Sequence, residues 1–79
     1  MKVLVVDDTG AQRFIIKRLL QQDCGIAGSD IDEAENGEKA LEKVVSTVYN
    51  LIIVDWNMPV MDGFEFLKEV RKNKINTPI

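Results

Sequence analysis

Two short apolar runs lie far apart along the chain, and each stops at an acidic residue. The first covers residues 2–6 and ends at Asp7, and the second covers Leu51–Val54 and ends at Asp55. Neither run alternates with polar residues, which is typical of parallel strands that are covered on both faces. We therefore predict two buried parallel strands, with Leu51–Val54 as a central strand of the sheet.

Helical spacing dominates the segment that follows the first strand. Apolar residues recur at intervals of three and four up to Asp23, which predicts a first helix, and Thr9 and Gln12 have the spacing of a capping box at its start. The apolar positions of this helix are Phe14, Ile15, Ile16, Leu19 and Leu20. Acidic and apolar residues then alternate over residues 29–34, which predicts an edge strand exposed on one side.

Two more helices complete the pattern. Asn36 is a good N-cap for a second helix, and Asp62 has capping-box spacing with Glu65 at the start of a third helix, which reaches about Lys72. Pro78, followed by the apolar Ile79, is typical of the entry into a further strand. The order β-α-β-α-β-α favours right-handed crossovers and a parallel sheet in one domain, residues 1–79.

The composition excludes several classes of function. A net charge of −3 and a pI near 4.8 argue against nucleic acid as a ligand of this domain. No apolar run approaches the roughly 20 residues of a membrane helix. With no histidine and only one cysteine, Cys24, a zinc site and an internal disulfide are not expected. Met1 is followed at once by strand-like sequence rather than an export signal, so we expect a cytoplasmic location.

Three acids are expected to converge if the two apolar strands are neighbours. Asp7, Asp8 and Asp55 would then lie at the carboxyl edge of the sheet, where open α/β sheets bind ligands. Two unit charges about 4 Å apart repel by about 4 kcal/mol at an effective dielectric near 20, so such a site takes up a proton, water or a cation. Mg²⁺ fits because it prefers oxygen ligands and retains waters. The alternative is that these acids merely end strands and cap helices.

The motifs around these acids resemble the receiver domain of two-component response regulators. They are VVDD at residues 5–8, DWNMP at residues 55–59 and MDG at residues 61–63. The resemblance covers the whole chain and implies a flavodoxin-like (CheY-like) doubly wound parallel sheet, of which the chain holds the first three β-α units and the start of the fourth strand. The residues of the last two motifs are most similar to those of stand-alone chemotaxis regulators, so chemotaxis is one expected role.

The resemblance implies a role for each matching residue. Asp55 would be the phosphoacceptor, receiving a phosphoryl group from a sensor histidine kinase, and the domain would switch a downstream protein target rather than act as an enzyme. Mg²⁺ would be bound directly by Asp8, mainly through water by Asp7, and by Asp55 and the backbone carbonyl of Asn57. We also expect Trp56 to cover this site.

Two other functions are weighed against the phosphoacceptor role. The family has five strands and five helices. Three of its residues follow later strands and therefore have no counterpart in residues 1–79; they are a hydroxyl residue, a lysine and an aromatic switch residue. An incomplete receiver that self-associates through the open edge of Leu51–Val54, or a non-phosphorylated interaction module, is the first alternative. The second is a Mg²⁺-dependent aspartyl phosphatase, which is disfavoured because Asn57 stands where such enzymes have a second Asp as general acid.

Overall fold

The computed structural model describes residues 1–55 and 61–79. Its elements, in chain order, are β1 (Val3–Val6), α1 (Gly10–Gln22), a short 3-10 helix (Gly28–Asp30), β2 (Ile31–Ala34), α2 (Gly37–Ser46), β3 (Leu51–Val54) and α3 (Gly63–Lys72). The predicted alternation of strands and helices is confirmed. The predicted second strand starts too early, because residues 28–30 form the 3-10 turn. None of the helices in the described ranges has the length and apolar content needed to cross a membrane.

The three strands form a parallel sheet in the order β2-β1-β3. Val6, the last residue of β1, lies opposite both Ala34 and Val54, so the three strands end at the same level. The prediction that β2 is an edge strand is confirmed. This common register brings the residues after β1 and β3 to one edge of the sheet.

β1, and not β3, is the central strand of the described sheet. All four residues of β1 are buried, whereas in β3 only Ile52 is buried and the other three residues are half-buried. The prediction of a central, fully buried third strand from its apolar run is therefore wrong for the described residues, because two equally apolar runs do not reveal which of them has neighbours on both sides. The position of Leu51–Val54 at the edge of the described sheet, expected from the resemblance, is confirmed. Ile52 N donates to Pro78 O at 2.9 Å, which places residues 77–79 beside β3, as expected for the entry into a further strand.

The two faces of the sheet are covered unequally. α2 and α3 pack on one face over Leu4 and Val6, and this larger core includes the fully buried Phe66 and Val70 of α3. α1 packs on the other face, where Leu20 is its only buried side chain. The remaining large apolar side chains on the outer side of α1 are half or more exposed; they are Phe14, Ile15 and Leu19. The apolar stripe of α1 is thus wider than the surface that it buries.

Two of the three predicted helix caps are confirmed. The Asn36 side chain accepts a hydrogen bond from Lys39 N at 2.8 Å, and the Asp62 side chain accepts one from Glu65 N at 2.8 Å. These bonds satisfy backbone donors in the first turns of α2 and α3. The capping box predicted at Thr9 is wrong, because its hydroxyl does not cap α1 and instead donates to Asp7 Oδ1 at 3.0 Å.

Candidate functional site

The carboxylates of Asp7, Asp8 and Asp55 come together at the carboxyl edge of the sheet. One carboxylate oxygen from each of them lies within 4.8 Å of the other two. The strand ladders continue one residue past the strands, because Asp7 N donates to Ala34 O at 3.1 Å and Asp55 N donates to Val6 O at 2.9 Å. The predicted convergence of the three acids is therefore confirmed, and its cause is the shared register of the strand ends.

The three acids differ in their access to solvent. Asp7 is 5% exposed, Asp55 is half-buried and Asp8 is exposed. Asp7 Oδ1 accepts two hydrogen bonds from Thr9, from its backbone N at 2.9 Å and from its hydroxyl at 3.0 Å. These bonds compensate the burial of a charged group. Asp7 thus has one oxygen engaged by the protein, while Asp8 faces solvent and can bind a ligand directly.

Arg13 is a residue near the acids that the sequence interpretation missed. Its Nη1 donates to the backbone O of Asp7 at 2.6 Å, and its Nε donates to Glu33 Oε1 on β2 at 3.2 Å. Lys17 Nζ lies 3.9 Å from the other oxygen of Glu33. No motif marks this contact, because it joins the first turns of α1 to the ends of two strands that only the fold brings together.

The segment that leads into α3 packs closely on the start of α2. A Cβ atom on Gly37 would lie 2.9 Å from Met61 O and 3.0 Å from the Met61 side chain, so this position requires a glycine. The predicted roles of Trp56 and Asn57 lie outside the described residues.

At the opposite edge of the sheet, Tyr49 forms a second polar contact. Tyr49 Oη donates to Asp32 Oδ2 at 2.6 Å, and Lys2 Nζ lies 3.9 Å from the same oxygen. Burial first, and then the hydrogen bond to Asp32, raises the pKa of the Tyr49 hydroxyl. Tyr49 is only 4% exposed and joins the core beneath α2. Since it lies before β3, it does not belong to the acidic site.

The donor set of the acidic site suits a hard cation. Three carboxylates offer only oxygen ligands, which Mg²⁺ prefers, and the exposure of Asp8 leaves room for the waters that Mg²⁺ retains. Within residues 1–55 and 61–79, no lysine or arginine forms an ion pair with the Asp7 or Asp8 carboxylate. The residues present therefore fit a Mg²⁺ ion.

A family model described as the response regulator receiver domain matches residues 3–79 of the chain. The chain belongs to this family. The receiver domain is the receiving module of two-component systems, so the resemblance carried by the acids and the turn motifs is confirmed. The three β-α units and their parallel sheet have the CheY-like form of the flavodoxin-like fold.

Several known proteins are similar to the chain. It is 40% identical to the sensor protein EvgS of Escherichia coli over 79 residues, all of this chain and 6% of EvgS. The structure of the Vibrio cholerae chemotaxis protein CheY4 shares 42% identity at a TM-score of 0.81, over 94% of this chain and 58% of that one. The Thermotoga maritima response regulator TrrA, solved with Mg²⁺-BeF, shares 47% identity at a TM-score of 0.83, over 94% of this chain and 62% of that one.

TrrA is also matched in a second structure, in complex with the histidine kinase ThkA. This match has 45% identity and a TM-score of 0.83, and it covers 98% of this chain and 64% of that one. The chain therefore spans about three fifths of the matched structures and a small part of EvgS.

Proposed function

We propose that this receiver domain accepts a phosphoryl group on Asp55 from a sensor histidine kinase, in a Mg²⁺-dependent reaction that switches a surface read by a downstream protein. The observation that carries the proposal is the convergence of the Asp7, Asp8 and Asp55 carboxylates within 4.8 Å at the carboxyl edge of the sheet. The similarity to TrrA, which has been solved with Mg²⁺-BeF and with a histidine kinase, supports it. The domain would act as a phosphoacceptor switch and not as an enzyme.

The phosphotransfer begins with Asp55 as the nucleophile. One of its carboxylate oxygens attacks the phosphorus of a phosphohistidine, the new O–P bond forms as the P–N bond breaks, and the imidazole nitrogen keeps the bonding electrons. The product is an acyl phosphate on Asp55 and a free histidine on the kinase. Asp55 lies at the end of β3 and is half-buried, so part of it is accessible to a donor at the sheet edge.

Asp8 and Asp7 would hold the cation in different ways. Asp8 is exposed and would bind Mg²⁺ directly, whereas Asp7 is buried with Oδ1 engaged by Thr9 and would act mainly through water. The backbone carbonyl of Asn57 is a further predicted ligand. When bound there, Mg²⁺ supplies positive charge that offsets the repulsion of the acids and of the incoming phosphoryl oxygens.

Phosphorylation would change the charge of the sheet edge. The acyl phosphate carries about −1.5 to −2 charges at neutral pH in place of the single negative charge of the Asp55 carboxylate, next to the carboxylates of Asp7 and Asp8. Such a change biases any surface that has two arrangements of similar free energy. The downstream partner is thus expected to read a local rearrangement at this edge.

Self-association through β3 is the second candidate function. A groove of about 450 Å³ runs along β3 and α3, and it is lined by apolar side chains that include Ile53, Leu67 and Ile79. An open strand edge favours pairing with another chain. The hydrogen bond from Ile52 N to Pro78 O weakens this candidate, because it occupies one backbone donor of that edge. A concentration-dependent dimer in analytical ultracentrifugation, lost in Ile53→Lys, would support it.

The pathway and the location of the domain are proposals of the same kind. The identities to EvgS and to CheY4 are 40% and 42%, so they do not distinguish chemotaxis from another two-component output, and chemotaxis stays a prediction. We propose a cytoplasmic location, which is supported by the exposed, free thiol of Cys24, since such thiols are typical of reducing compartments.

The test follows the fluorescence of the single tryptophan, Trp56, during titration with Mg²⁺, and then the protein mass after addition of acetyl phosphate. We expect a saturable change that is lost in Asp8→Ala, and a gain of one phosphoryl group that is lost in Asp55→Asn. Glu42→Gln, at an exposed acid on α2, is the matched control and should behave as the unchanged protein.

Each result bears on a different part of the proposal. Mg²⁺ binding without a gain in mass would contradict the phosphoacceptor role and favour a non-phosphorylated interaction module. Absence of Mg²⁺ binding, on protein shown to be folded, would contradict the metal site itself.

A further inference from the structure

We propose that Arg13 is a positioning residue for the metal-binding acids, because it orients the peptide group that joins Asp7 to Asp8. The inference rests on the proposed Mg²⁺ site. It assigns a role to a side chain on α1 that would touch neither the cation nor the phosphoryl group. Arg13 would act through the backbone carbonyl of Asp7 and would itself be held in place by Glu33.

The contacts of Arg13 form a bridge between three elements. Nη1 donates to Asp7 O at 2.6 Å, directly after β1, and Nε donates to Glu33 Oε1 at 3.2 Å, on β2. The Arg13 side chain is 20% exposed, so most of it is shielded from water. Lys17, one turn further along α1, lies 3.9 Å from Glu33 Oε2 and helps to fix that carboxylate. These contacts therefore connect the Asp7–Asp8 pair to α1 and to β2.

The orientation of the Asp7 carbonyl affects the position of Asp8. A peptide group is planar, so the orientation of the Asp7 carbonyl also sets the orientation of the Asp8 N–H and the direction in which Asp8 leaves the strand. Asp7 is already held by Thr9 and by burial, whereas Asp8 is exposed. A hydrogen bond at this carbonyl thus acts mainly on Asp8, the proposed direct ligand.

The geometry of an arginine side chain suits this bridge. The guanidinium is a planar fork with several N–H donors, so it can donate to a carbonyl and a carboxylate at once and hold a fixed angle between them. A lysine keeps the charge but has a single nitrogen on a flexible stem. The Lys variant therefore separates orientation from charge, because a positive charge beside the site opposes cation binding in both forms.

The first experiment compares Arg13→Lys with Arg18→Lys, which changes an exposed arginine of the same helix that has no hydrogen bond or ion pair with the described residues. Loss of one well-aligned hydrogen bond predicts that Arg13→Lys weakens Mg²⁺ binding about fivefold, while Arg18→Lys binds as the unchanged protein does. Thermal unfolding in EDTA is measured for all three proteins, so that a general loss of stability in Arg13→Lys is separated from a loss of Mg²⁺ affinity.

A spectroscopic signature distinguishes positioning from a general structural effect. The ¹⁵N chemical shift of a backbone amide responds to hydrogen bonding at the preceding carbonyl. In metal-free protein, Arg13→Lys should therefore shift the Asp8 amide resonance more than the amide resonances of residues in the centre of β1. An unchanged Asp8 resonance together with unchanged Mg²⁺ affinity would overturn the proposal.

A second pair of variants tests the anchor on β2. Glu33→Ala removes the partner of Arg13, whereas Glu35→Ala removes the same charge from an exposed acid that pairs with Lys39. We expect only Glu33→Ala to weaken Mg²⁺ binding beyond the effect of the lost charge and to shift the Asp8 resonance. Equal effects of the two variants would overturn the role of Glu33. If the unchanged protein binds no Mg²⁺, the proposed function itself fails, and this result is distinct from any difference among variants.

Discussion

The acids at the two ends of the sheet have contrasting surroundings. At the amino end, Asp32 lies 2.6 Å from the Tyr49 hydroxyl and 3.9 Å from the Lys2 ammonium, so the protein supplies both a donor and a positive charge. At the carboxyl end, three carboxylates lie within 4.8 Å of one another, and no lysine or arginine of the described ranges pairs with Asp7 or Asp8. The first arrangement pairs its acid with groups of the protein, whereas the second brings like charges together and suits a cation.

The largest effect is expected from Tyr49→Ala. The ring is 4% exposed and packs in the core, and its removal also deprives Asp32 of a donor, so we expect a loss of about 3–4 kcal/mol in the free energy of unfolding. Urea denaturation measures it. Val48→Ala, at a neighbouring exposed residue, is the control and should cost under about 0.5 kcal/mol. A small loss in Tyr49→Ala would show that the amino end is not a stabilising contact.

Asp32→Ala tests the acid of the same contact. It leaves the buried Tyr49 hydroxyl without its acceptor, and we expect a loss of about 2 kcal/mol in the free energy of unfolding. The Lys2 pair contributes little to this value, since both side chains are partly exposed and salt screens them. Glu42→Ala, at an exposed acid, serves as the control. Equal stability of the two variants would contradict the assignment.

Asp8→Asn should have the opposite sign. Removing one charge from the acidic cluster relieves repulsion, and because Asp8 is exposed and screened by solvent we expect a gain of about 1 kcal/mol in EDTA. Addition of Mg²⁺ should raise the melting temperature of the unchanged protein but not that of Asp8→Asn. Asp23→Asn, at an exposed acid after α1, is the control. Destabilisation of Asp8→Asn in EDTA would remove the contrast between the two ends.

The smallest expected effect is the alkaline pH dependence of Tyr49. Its pKa is raised in the folded protein above the ordinary value of about 10, so its contribution to stability is fully present below pH 10 and is lost as the pH rises further. Between pH 9 and pH 11 we expect the unchanged protein to lose about 1 kcal/mol more than Tyr49→Phe, which has no ionisable hydroxyl. If the free energies of unfolding of the two proteins change with pH in parallel, the Tyr49 hydroxyl is not the cause of the loss.

Much of the fold was predictable because local signals and the topology agree. Asn36 and Asp62 cap their helices as expected, since a side-chain acceptor two or three residues before a free N–H acts within a single turn. The Thr9 capping box failed because a buried charge, Asp7, competes for the same hydroxyl. A capping motif is reliable only where no stronger acceptor lies within reach of the same hydroxyl.

The acids of the candidate site were predictable from the sequence, but the residues that support the site were not. Asp7, Asp8 and Asp55 each follow an apolar run, and the parallel register brings such positions together. Arg13 and Gly37 were missed because their roles depend on contacts across elements, with Asp7 and Glu33 for the first and with Met61 for the second. Neither contact leaves a pattern in the residues nearby.

The sequence by itself determined the alternation of strands and helices and the positions of the acids at strand ends, because hydrophobic period and caps are local properties of the chain. Only the tertiary structure decided that Tyr49 is buried against Asp32 and that Arg13 bridges Asp7 to Glu33. Strand order and contacts across elements depend on which surfaces meet, and apolar runs of equal strength such as β1 and β3 contain no information on that choice.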